Sequence, residues 1–313
     1  MTDLKTPGTA RTRLAVAGAR AATDSVFGRR PVGERIGSKV FLALLLLGLS
    51  VAVAGLAGML IWMIQEGAPR FDLGLFTDNP SVVNPEEAGY RPAIIGSVLV
   101  IVGVITLIVP LGVGAAVYLE EFADKEKWYN RFVELNIQNL AGVPSIVFGI
   151  LGLAFIVRAP LNFGFTVAAG SLTIAMLVLP TVILAAREAI RAVPPSIREG
   201  SLALGATPWQ TVWRQVLPAS TSGILTGVIL AVARAIGEAA PLLMIGTVTF
   251  VTFDPSFFEG RFTTLPVQIF AWSAQPQEEF HQLAAAGVLV MLALVLAMNS
   301  FAIWLRNRYE QQW

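Results

Sequence analysis

The chain has 313 residues, 55% of them hydrophobic and 14% charged, with a net charge of +1 and a mean hydropathy of +0.68. Soluble domains carry about 25% charged residues, so this balance describes an integral membrane protein. The absence of cysteine excludes disulfides, thiolate nucleophiles and Cys-based metal sites, and a single histidine, His281, argues against a His-based metal site or catalytic triad. No Gly-Lys dipeptide occurs, so the chain has no P-loop of its own. If ATP drives anything here, another subunit binds it. Nothing in the sequence calls for a cofactor.

Residues 1–39 form a basic tail, low in large apolar side chains, whose positive charge suits a topology signal. Six segments then reach the roughly 20 apolar residues that a helix needs to cross a bilayer. They lie at 40–64, 93–118, 137–157, 167–186, 223–250 and 283–305. The first is too long for a signal-peptide core and reads as a retained anchor. The third is Gly-rich and carries Pro144 and Ser145, features that membrane helices tolerate when neighbours satisfy the freed backbone groups. The expectation is an all-α protein of six transmembrane helices. No internal repeat is visible.

Orientation follows from lysine and arginine. With the N-terminus inside, 17 of the 22 fall in inner segments, four (Arg70, Arg91, Arg158, Arg261) in outer ones, and Arg234 within a span. Both termini, including a short tail at 307–313, are therefore expected to be cytoplasmic. The outer segments 65–92 and 251–282 are long and net acidic.

Between the fourth and fifth spans lies a polar insert at 196–218, "SIREGSLALGATPWQTVWRQVLP". Ser196 with Glu199 spells a capping box, Gly205 occupies a left-handed C-terminal position, and Thr207-Pro208 with Gln210 spells a second box. Two short helices follow, the second with Trp209, Val212, Trp213, Val216 and Leu217 on one face. A DNA-reading helix-turn-helix is excluded by the flanking spans and by a basic footprint of only Arg198 and Arg214. Nucleic acid is therefore not among the expected partners. A docking element for a cytoplasmic partner and a plain interfacial connector remain.

Arg234 and Glu238 stand four residues apart inside the fifth span. If that span begins near Gly223, Arg234 lies close to mid-membrane, where a lone arginine costs about 2.5–3.5 kcal/mol on insertion scales. The spacing lets the two side chains meet, and Pro241 frees the carbonyl of Gly237 and invites a kink. The pair is either a lock for helix packing or a cation facing a water-filled pathway. Gln138, Asn139 and Ser145 on the third span face the same cavity or make polar helix–helix contacts.

The insert carries a resemblance. Glu199-Gly200-Ser201, three residues, Gly205, nine residues, Gln215, one residue, then Leu217-Pro218 is similar to the EAA loop of bacterial ABC importer permeases. The anchors Glu199, Gly205, Leu217 and Pro218 match; Gly200, Ser201 and Gln215 depart from Ala, Ala and Ile. The stretches 139–155, 192–220, 223–243 and 265–313 further resemble the A-type permease of phosphate importers. The resemblance implies a type I importer core of five helices, at 93–306, preceded by one N-terminal helix at 40–64. It implies a homologous C-type permease, two ATP-binding subunits and an extracytoplasmic phosphate-binding protein as partners, with membrane lipid around them. The loop would couple to the ATPase, Arg234 and Glu238 would line the route, and the chain itself would catalyse no bond chemistry. Permeases for sulfate, molybdate or an organic solute, and an ATP-independent carrier, are the alternatives.

Overall fold

A computed structural model describes residues 32–247 and 250–309, so most of the basic N-terminal tail and the last four residues lie outside the described part. The chain divides into two units, Met1–Ile61 and Trp62–Trp313. Every regular element among the described residues is helical. The first unit consists, where described, of most of helix α1 (Val32–Gly67). Its 36 residues give a rise of about 54 Å, well beyond the roughly 30 Å of a bilayer core.

The second unit is built on α2 (Arg91–Val117), α5 (Val167–Arg191), α8 (Leu217–Gly237) and α11 (Glu278–Tyr309). Helix α5 is the centre: α2 and α8 both pack along it. The principal core lies between them, with Val104, Ile108, Ile174, Val178, Ile190 and Val216 fully enclosed. Small residues set the closeness of the α5–α8 crossing. A Cβ on Gly223 would lie 2.6 Å from the Cβ of Ala189, and one on Gly227 2.4 Å from that of Ala185. This is the small-xxx-small packing of membrane helices, in which backbones approach because nothing larger than a methyl separates them. Ser171 adds polar glue by donating to the Val100 carbonyl at 3.2 Å.

A second, smaller core joins the segment before α2 to α10 (Leu265–Ser273) and α11, around Tyr90, Leu265, Trp272 and Phe280. The Tyr90 hydroxyl, buried there, donates to the Leu283 carbonyl at 3.0 Å. Outside that core, Arg91 forks onto Asp254 at 2.7 and 3.1 Å.

Among the described residues, five helices are long and apolar enough to cross a membrane. The expected third span, 137–157, is not one straight helix. It is α3 (Trp128–Ala141) and α4 (Ser145–Leu151, continued by a π-turn at Gly152–Val157), meeting at 110°. Pro144 donates no hydrogen bond and bars Val143 from helical geometry, so the chain turns there. The count is six only if this bent pair is one span. The fifth span also differs: α8 starts at Leu217, ahead of the expected residue 223, and stops at Gly237. The short helix α9 (Ala240–Met244) follows. Pro241 cannot donate to the Gly237 carbonyl, so the break falls there rather than as a kink within a helix to residue 250.

Candidate functional site

Two regions carry the sequence-designated residues. The first is the insert between α5 and α8, where α6 (Pro195–Ala203) and α7 (Pro208–Thr211) form. The second box is present as expected: Thr207 Oγ1 accepts from the Gln210 N–H, and Gln210 Oε1 accepts from the Thr207 N–H at 2.9 Å. Gly205 stands at φ +85°. Its N–H donates to the Leu202 carbonyl and that of Ala206 to the Ser201 carbonyl, at 2.9 and 3.2 Å. This crossed pair closes the end of α6 and needs a residue free to adopt the left-handed conformation.

The first box is absent. Helix α6 begins at Pro195, with Pro194 as its cap and no side-chain cap bond. Proline at the first position has no N–H to satisfy and a backbone angle already helical, so the start moves ahead of Ser196. Glu199 is thereby released, exposed, and makes no ion pair among the described residues. The aromatic face of the second helix also splits. Val212 and Val216 are buried, whereas Trp209 and Trp213 are more than half exposed. A π-turn at Val212–Val216 shifts the register between α7 and α8. The two indoles pack together at 5.4 Å, with Phe122 5.9 Å from Trp209. They wall an apolar cavity of about 730 Å³ with Pro110, Val113, Tyr118 and Leu217. Pro218 is half-buried at the head of α8. Of the departures from the EAA pattern, Ser201 bonds Thr211 at 2.9 Å. Gln215 lines the groove between the two short helices beside Arg214.

The second region is the break after α8. Arg234 Nε lies 3.2 Å from Glu238 Oε1, with side chains 45% and 17% exposed. Arg234 occupies the last turn of α8 rather than the middle of a longer helix, and Glu238 is the residue at which the helix ends. The cation there also faces the negative end of the helix dipole. Helix α9 packs on α4, with Gly149 backed onto Pro241. Two short helices that each follow a break thus meet, α9 beginning two residues after Glu238. Ser145 opens α4, and Gln138 and Asn139 lie exposed near the end of α3. No hydrogen bond joins these three to Arg234 or Glu238 among the described residues.

A third cluster escaped the sequence reading. Glu120 and Glu121 lie in a π-turn, Tyr118–Phe122, that prolongs α2. Glu120 receives Arg187 at 3.4 Å, Arg191 at 3.0 Å and Lys125 at 3.1 Å, while Arg187 also reaches Glu134 at 2.8 Å. Glu121 pairs with Arg198 at 2.6 Å. The signal available was the Glu-Glu pair directly after an apolar run, facing arginines at i and i+4 on α5.

Comparison with known proteins decides the family. Residues 108–311 match the binding-protein-dependent transport system inner membrane component model. The chain belongs to this family. As such a component it is a multi-pass protein of the inner membrane. It is 35% identical over 251 residues to the phosphate transport system permease protein PstA of Yersinia pestis, covering 78% of this chain and 82% of that one. To the PstA protein of Mycobacterium leprae it is 33% identical over 280 residues, covering 87% and 90%. Its fold is shared with a solved bacterial alginate ABC transporter in complex with an alginate pentasaccharide-bound periplasmic protein. The TM-score is 0.64 at 15% identity, with 88% of this chain and 96% of that chain covered.

Proposed function

We propose that the chain is the permease subunit of an ATP-driven importer that carries inorganic phosphate inward by alternating access. Its termini lie in the cytoplasm. Its partners are a homologous C-type permease, two ATP-binding subunits and an extracytoplasmic phosphate-binding protein, and ATP is hydrolysed in those partners alone. The observation that carries the reading is the α6–α7 insert, which presents exposed Glu199, Leu204 at 91% exposure and two half-bare indoles. An apolar, polar-rimmed face of that kind fits a groove on another protein. Glu199, Gly205, Leu217 and Pro218 act there as the coupling element. Named relatives that transport phosphate, at 33–35% identity over most of the chain, support the substrate.

Within the membrane domain, Arg234 attracts the oxyanion and Glu238 tempers its hold, so that the ion passes instead of staying. The helix break is compatible with this reading: irregular backbone at membrane depth occurs where it lines a water-filled cavity or is buried in protein. What favours it over a packing lock is the 45% exposure of Arg234, more than a buried lock would show. Gln138, Asn139 and Ser145 contribute polar lining nearby. The test is phosphate uptake by the assembled complex in proteoliposomes. Arg234→Gln is expected to abolish ATP-dependent uptake while the complex still assembles. An assembled variant with unchanged uptake would leave only the packing role, and import of sulfate or molybdate in place of phosphate would overturn the substrate.

A further inference from the structure

Helix α6 has no fully buried residue. Its apolar attachment to the body of the protein is Ile197, half-buried against the core. A single side chain carries most of its polar attachment. The Arg198 guanidinium donates to Glu121 through Nε at 3.2 Å and through one terminal nitrogen at 2.6 Å. It also donates to the carbonyls of Ile190 at 2.9 Å and Val193 at 2.6 Å. Four of its five N–H groups are thus committed. Two of them go to carbonyls at and just beyond the end of α5, Ile190 in its last turn and Val193 in the turn that follows. The carboxylate partner sits at the end of α2, with its side chain 11% exposed. Its neighbour Glu120 ties that same turn to α5 through Arg187 and Arg191. Adjacent carboxylates on one π-turn therefore hold two different elements, α5 by Glu120 and α6 by Glu121.

We propose that Arg198 and Glu121 form the strut that makes α6 move as one body with α2 and α5, so that displacement of the insert reaches the membrane helices. Both are positioning residues; neither touches the transported ion. The inference rests on the coupling role proposed for the insert and adds the path by which that coupling leaves it. A planar fork bonded at once to a carboxylate and two carbonyls resists rotation in a way that a point charge does not. Lysine at 198 would keep the charge and lose the rigidity.

The test uses the whole complex in proteoliposomes and reads phosphate imported per ATP hydrolysed. Arg198→Met and Glu121→Gln are expected to assemble, to hydrolyse ATP, and to import about tenfold less per ATP, the scale of a lost charge-assisted bond. Arg198→Lys is expected to fall between them and the wild type. The chain has no cysteine, so Glu121→Cys/Arg198→Cys can be bridged by a short thiol-reactive, reducible cross-linker. Bridging is expected to restore the ratio and reduction to lower it again, a reversal that a merely structural role would not give. A wild-type ratio in Arg198→Met, or no recovery on bridging, would overturn the strut while leaving the transport function intact. Absence of ATP-driven phosphate uptake by the wild-type complex would overturn that function and the strut with it.

Discussion

The two short helices of one insert are held by different physics. Helix α7 opens on a reciprocal capping box and runs through a π-turn into α8 without a break, burying Val212 and placing Val216 in the main core. Helix α6, a few residues earlier, buries no residue fully and is fixed by ionic and carbonyl contacts of Arg198, by Ile197, and by the Ser201–Thr211 bond. Burial is non-directional and sums over many weak contacts. A guanidinium fork is directional and fails as a unit. One half of the insert is thus welded to α8 by burial, and the other is pinned to α2 and α5 by a few directional bonds.

That contrast can be broken most severely at Val216, which is 0% exposed. Val216→Asp places a carboxylate where no partner waits, and the cost of an uncompensated buried charge, several kcal/mol, is expected to abolish folded protein. Yield and monodispersity in detergent check this. No single substitution of that kind is expected in α6, because none of its residues is fully buried. Gly205→Val is next. Open space surrounds the position, so no clash arises, but the φ of +85° is strained for a β-branched residue. The crossed carbonyl bonds at the end of α6 should open, at a cost of about 1–2 kcal/mol. The protein is expected to fold and assemble with less phosphate imported per ATP. Unchanged transport at normal assembly would show that the end of α6 need not be fixed.

How much of this was legible in the sequence differs element by element. The long apolar helices were, because a bilayer demands about 20 apolar residues and composition alone reports them. Gly205 and the Thr207–Gln210 box were, because turn chemistry is local. The break at Pro144 was visible as a residue but read as a tolerated irregularity. Whether a proline kinks a helix or ends it depends on what its neighbours satisfy, and α9 packing on α4 is not a local fact. The same applies to Pro241, whose missing donor ended α8 at Gly237 and moved Arg234 from mid-helix to a helix end. Ser196 does not cap the helix, because the two prolines before it start the helix early. The carboxylate–guanidinium cluster was hidden for a different reason: Glu121 and Arg198 are 77 residues apart, and nothing local pairs them.

The mildest test is the sharpest on local stability. Gly200 lies within α6, exposed, with no atom within 4 Å of where a Cβ would stand. Gly200→Ala therefore adds no contact and acts through helix propensity alone, a gain of about 0.5–1 kcal/mol. How that gain appears depends on how α6 opens. If the helix is held by a few directional bonds and little burial, it opens locally, and its amides should exchange with solvent roughly two- to fivefold more slowly in the variant. If instead α6 opens only when the whole protein does, the gain adds to the global stability and slows the amides of α6 and of the α2–α5–α8 core alike. The amides of α7, continuous with that core, should be unchanged in the first case and slowed together with those of α6 in the second. Hydrogen exchange on the two helices of one insert, in one variant, thus separates an element that opens by itself from one welded to the core, without disturbing a single bond between them.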